Sequence, residues 1–119
     1  MLRKLALIAV TAGSFAPACY HFASRRAEAA APKLYAERCS TCHGPTGRGD
    51  GLGGQSLDPR PRDFASKAWQ ASISDARIEQ TIHEGGAALG LSPLMPAQPD
   101  LSDRQLQELV VYIRRVGTR

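Results

Sequence analysis

The chain has 119 residues and a formal charge of +4, enough length for one domain and too little for two. The charge does not mark a nucleic-acid binder. Arg3, Lys4, Arg25 and Arg26 fall in the first 31 residues against Glu28 alone, so the remainder carries eleven basic and ten acidic residues and no basic stripe interleaved with aromatics.

At the amino end, Arg3 and Lys4 precede an apolar run from Leu5 to Ala12 that continues weakly through Phe15 and Ala18. This is the layout of a secretory signal, and it is short for a membrane span. Small residues at Ala16-Pro17-Ala18 and at Ala27-Glu28-Ala29-Ala30-Ala31 offer two cleavage points. The second is favoured and divides the chain into a targeting segment, 1–31, and an exported domain, 32–119, expected in the periplasm. An uncleaved amino-terminal anchor or a lipid on Cys19 is the alternative, and either would associate the protein with a membrane.

Pro32, Leu34, Tyr35 and Arg38 predict a first helix from about Pro32 to about Cys42. It runs into Cys39-Ser40-Thr41-Cys42-His43, and Cys-x-x-Cys-His is the attachment signature of a c-type haem. Positions i, i+3 and i+4 share one helix face, so two thiols and an imidazole can meet one flat cofactor. Cys39 and Cys42 would form thioethers with the vinyl groups, and His43 would bind the iron. A thiol oxidoreductase would also use Cys-x-x-Cys, but needs a strand before the motif and a βαβ context. A zinc-binding module would need a fourth ligand beyond Cys39, Cys42 and His43, for which His83 is the sensible donor.

From Gly44 to Asp63, nine of twenty positions are Gly or Pro, which predicts a wrapping loop. Its large apolar residues are Leu52 and Leu57, too few for a core, so it needs a surface to lie against. Asp63-Phe64 to Trp69 predicts a short turn or helix. Ser74 or Asp75 can cap a second helix running to about Glu84, with Ile78 and Ile82 one turn apart and Gly85-Gly86 as its stop. Ala87 to Asp100, with Pro93, Pro96 and Pro99, is again loop. Ser102 and Gln105 form a capping-box pattern, after which Leu106, Leu109, Val110, Ile113 and Val116 make a continuous apolar stripe that ends at Gly117. With no alternating pattern in the domain, the fold class is all-α.

A low-spin electron carrier needs a second axial ligand, and Met95 is the one methionine besides Met1. A thioether suits iron in both oxidation states and favours the reduced one. His83, the other histidine of 32–119, is the competitor, and an open or water-bound iron is a third arrangement.

Cys39 to Gly44, Gly47-Arg48-Gly49-Asp50-Gly51, Pro61-Arg62-Asp63-Phe64, Met95-Pro96, and Leu101-Ser102-Asp103 leading to Tyr112-Ile113-Arg114 together resemble a class I c-type cytochrome of bacterial type. The resemblance spans nearly all of 32–119. It implies three to four helices around one covalently bound haem c, with Pro32 to Cys42 crossing Ser102 to Gly117 and Tyr35 and Tyr112 at the crossing. It also implies that a proline carbonyl accepts the His43 Nδ1–H, from Pro45, Pro59 or Pro61, with a preference for the last two. Arg62, Lys67 and Trp69 are candidates for the haem propionates. The expected function is one-electron transfer between redox partner proteins, not catalysis by the chain itself. A related reading makes it the electron-transfer subunit of a larger dehydrogenase or oxidase.

Overall fold

A computed structural model describes residues 30–119, so the targeting segment and Cys19 lie outside the described residues. Five helical segments and no strand occur among the described residues: α1 over 30–38, α2 Ser40–His43, α3 Lys67–Ser72, α4 Asp75–Ala88 and α5 Asp103–Val116. The all-α expectation is met. The single helix expected over Pro32 to Cys42 is divided at Cys39 (φ −120°, ψ −34°), although the Cys39 N–H still bonds the Tyr35 carbonyl at 2.9 Å.

Local chemistry explains where the other helices start. Ser66 caps α3 by accepting from the Trp69 N–H, and Ser74 caps α4 by accepting from the Arg77 N–H. On α5, the Ser102 hydroxyl accepts from the Gln105 N–H while Gln105 Oε1 accepts from the Ser102 N–H, completing the capping box. Helix α5 then presents Leu106, Leu109, Val110, Ile113 and Val116 to the interior, all buried.

These side chains join Tyr35, Phe64, Ile78, Ile82 and Leu101 in one core. Helix α4 packs on α5, and α1 reaches α5 where the Tyr35 and Tyr112 rings stand 4.8 Å apart, as the resemblance implied. Leu109 is 1% exposed; truncating so enclosed a side chain costs about 2–5 kcal/mol.

Polar side chains fix the third contact of α5. Arg114 donates to the Gln70 carbonyl and Oε1 at 2.8 Å, to the Ile73 carbonyl at 2.7 Å and to Asp75 Oδ1 at 2.7 Å. Gln70 in turn donates to the carbonyls of Phe64 and Ile113. Together they bind α3 and the start of α4 to α5. Gly117 does follow α5, but in a right-handed conformation (φ −66°) rather than a left-handed cap. Its smallness serves packing, since a Cβ there would lie 2.5 Å from the Gln70 side-chain nitrogen.

Helix α4 differs from expectation. Gly85 leaves helical geometry (φ +78°), as a stop should, yet helical structure resumes and continues to Ala88. The kink has a tertiary cause, because a Cβ on Gly85 would lie 2.7 Å from the Ala97 nitrogen. The loop after Met95 therefore lies directly on the helix backbone.

Candidate functional site

Ser40 opens the one-turn helix α2, which carries the end of the Cys-x-x-Cys-His motif. The Cys39 carbonyl accepts from both the Cys42 N–H at 3.3 Å and the His43 N–H at 2.9 Å, so main-chain bonds hold the three motif side chains on a single turn. Both cysteines are half-buried, and neither forms a disulfide among the described residues. Burial pushes the Cys39 thiol up to about 11, with the adjacent Arg38 pulling the other way.

So short a helix would leave its carbonyls bare, and the glycine-rich loop covers them. The Gly53 N–H donates to the Thr41 carbonyl at 2.9 Å and the Gly51 N–H to that of Cys42 at 3.2 Å. A Cβ on Gly51 would stand 2.3 Å from the Thr41 oxygen, so only glycine brings the chain this close. The loop's buried positions are Gly44, Gly47, Gly49, Gly51 and Gly54. It packs main chain, not side chains, against the motif.

His43 is half-buried, and its ring stacks on Phe64 with centroids 4.6 Å apart. Its Nδ1–H donates to the Arg62 carbonyl at 3.2 Å. This corrects the expectation of a proline carbonyl. The Pro61 carbonyl points instead at Gly49, where a Cβ would lie 2.2 Å from it, and the next carbonyl along reaches the histidine. Burial lowers the His43 pKa, opposed more weakly by that hydrogen bond, so the ring is held neutral with Nε2 as the unprotonated nitrogen.

Met95 is half-buried and packs against the same core as Cys39. Its carbonyl accepts from the Gly86 N–H at 3.0 Å, and the Gln98 N–H donates to the Ile82 carbonyl at 3.0 Å, fastening this loop to α4 on both sides of Ala97. His83 is exposed on α4 and faces a surface depression shared with Glu79, Gln80 and Asp103. No cluster of three or more His, Cys, Asp or Glu side chains suited to a metal ion occurs among the described residues.

Of the three propionate candidates, Lys67 is engaged elsewhere, donating to the Gly117 carbonyl. The Trp69 ring packs on Phe64 at 5.3 Å; among the described residues its indole N–H has no acceptor and the exposed Arg62 guanidinium has no partner. The Arg62 carbonyl and the Gly85-Gly86 platform were not foreseen as parts of the site. A main-chain acceptor leaves no mark on a sequence, whereas the glycine pair was visible and was read only as a helix stop.

Residues 26–113 match the protein family described as cytochrome C oxidase, cbb3-type, subunit III. Among solved structures, the c-type cytochrome KustC0563 superposes with a TM-score of 0.56 at 35% identity, over 72% of this chain and 95% of that one. No curated protein matches the chain.

Proposed function

The chain belongs to the c-type cytochromes, in the family of cbb3-type cytochrome c oxidase subunit III, and on that premise we propose that it is a periplasmic monohaem carrier passing single electrons between redox partner proteins. Domains of this family bind covalently attached haem c. The proposed boundary between leader and cytochrome domain is at residue 31.

We assign the covalent links to Cys39 and Cys42, and we assign His43 and Met95 as the residues that would ligate the iron. The observation that carries this is the His43 ring, fixed at Nδ1 by the Arg62 carbonyl beside two thiols on the same turn. That bond selects the tautomer with a lone pair on Nε2 and raises its basicity as a ligand. Met95 offers a soft neutral donor from a loop fastened to α4, whereas His83 lies exposed on the helix itself. Neither zinc binding nor thiol oxidoreduction gains support from a strandless fold whose described residues hold no metal cluster.

When bound, the haem supplies reversible one-electron chemistry at iron. The protein's task is to change little between the two states. Its residues would supply two ligands and, with the core behind Phe64, would exclude water from one side of the haem. A gel stained for covalent haem, with a reduced alkaline-pyridine spectrum, should be positive for matured protein. Colourless protein with two titratable thiols would overturn the assignment.

Exposed apolar side chains favour the version in which the carrier serves as a subunit of a larger oxidoreductase. Leu52 is 86% exposed in the loop that wraps Cys42, and Leu94, beside Met95, is 56% exposed. Isolation of the native complex tests this version, and recovery of a monomer alone would exclude it.

A further inference from the structure

We infer that Arg38 and Asp100 form a latch that positions the Met95 loop by tying it to the end of α1, at the residue before the haem motif. The inference rests on the assignment of Met95 as axial ligand. Arg38 ends α1 and immediately precedes Cys39. Its Nη2 donates to Asp100 Oδ2 at 2.8 Å, and its Nη1 donates to Asp100 Oδ1 at 3.2 Å and to Gln98 Oε1 at 3.0 Å. One guanidinium thus grips both carboxylate oxygens and a neighbouring amide, the planar fork that arginine provides and lysine does not.

The position of this contact gives it a role. The two elements that supply the axial ligands are separate in sequence, and the Met95 loop is otherwise held by main-chain bonds to α4, from Gly86 to Met95 and from Gln98 to Ile82. Arg38 adds a direct tie from the end of α1, which leads into the motif that carries the other ligand. The ion pairs Lys33–Glu37 and Arg104–Glu108 lie within single helices, and Arg114–Asp75 joins α5 to α4. Only Arg38–Asp100 in this set joins α1, at the residue before Cys39, to the segment after Met95.

The pair is partly exposed, with side-chain accessibilities of 41% and 57%, so it contributes little to global stability. Its effect falls on local opening of the loop, which governs how readily the methionine sulfur leaves the iron. The latch holds a ligand in place; it forms no part of the electron-transfer chemistry.

The test uses the full-length, haem-loaded ferric protein and titrates it with imidazole, which competes with the thioether for iron. Asp100→Asn, Arg38→Ala and Arg38→Gln should each raise the apparent imidazole affinity about three- to fivefold, the range expected for an exposed ion pair with one extra hydrogen bond. Thermal midpoints should remain within about 2 °C of the parent, as for surface substitutions of small effect. The double variant Arg38→Asp with Asp100→Arg should recover much of the parental affinity, and Arg38→Lys less of it. Unchanged imidazole affinity in the single variants overturns the latch, as does an increase fully matched by lost global stability. Met95→Ala separates the two premises: if it leaves the sulfur-to-iron charge-transfer band intact, the ligand assignment has failed. If it abolishes the band while the latch variants bind imidazole like the parent, only the latch has failed.

Discussion

The Arg62 carbonyl accepts the Nδ1–H of His43 at 3.2 Å, across eighteen residues of intervening chain. Its placement depends on Gly49, which has φ +75° and whose added Cβ would meet the Pro61 oxygen at 2.2 Å. Gly49→Ala should displace the Pro61–Arg62 segment and destabilise the protein by about 2–4 kcal/mol in denaturant titrations. It should also raise the reduction potential, because a less basic imidazole stabilises oxidised iron less. Arg62→Ala keeps the carbonyl and should leave stability nearly unchanged.

Met95→Ala should abolish the long-wavelength sulfur-to-iron charge-transfer band of the oxidised protein and lower the potential, read by optical titration. An unchanged spectrum would move the ligand role to His83.

Arg114→Ala should lower stability by about 2 kcal/mol, measured by chemical denaturation of the haem-loaded protein. It removes four hydrogen bonds of a charged donor, partly offset by solvent at a half-exposed site. Arg114→Lys should recover little, since one ammonium cannot reach the Gln70, Ile73 and Asp75 acceptors together.

Acid should loosen the Met95 loop. The hydrogen bond from Arg38 holds the Asp100 carboxyl below the usual carboxylate range. A depressed folded value means that the tie is complete above the ordinary pKa, about 4, and is lost as pH falls through the folded value. Amide exchange at Gln98, whose N–H bonds the Ile82 carbonyl, should be slower in the parent than in Asp100→Asn at pH 6. The gap should narrow as pH falls through the depressed Asp100 value, and a pH-independent gap would contradict the mechanism.

Without haem the chain should be largely unfolded, showing no cooperative thermal transition by circular dichroism. Through the wrapping loop the buried positions are glycines, and Leu52 is 86% exposed, so little side-chain burial holds that segment alone. A sharp transition in the apoprotein would show the helical core to be self-sufficient.

What the sequence revealed was what side chains encode locally. The stripe from Leu106 to Val116 and the Ser102–Gln105 box specify α5 unaided, and Ser74 marks the start of α4. Cys39, Cys42 and His43 were legible because their spacing carries the chemistry. Gly85 shows the limit: it reads as the end of a helix, whereas it kinks one that runs on to Ala88, and the cause is Ala97, twelve residues on. The contacts of Arg114 and Gln70 leave no mark in the sequence, because nothing local shows that both reach main-chain acceptors in distant segments. The Arg62 oxygen, present in every residue type, had no signature to find.

Gly86 and Met95 are joined main chain to main chain, so residues 87–94 form a lobe whose two feet stand side by side. The lobe's size is therefore uncoupled from the placement of the sulfur. Extra residues after Gly90, where an added Cβ meets nothing within 4 Å, would extend the lobe outward at a closure cost that grows only logarithmically with length. Evolution, or an engineer, can rewrite this outer contour while the anchor beneath it stays put.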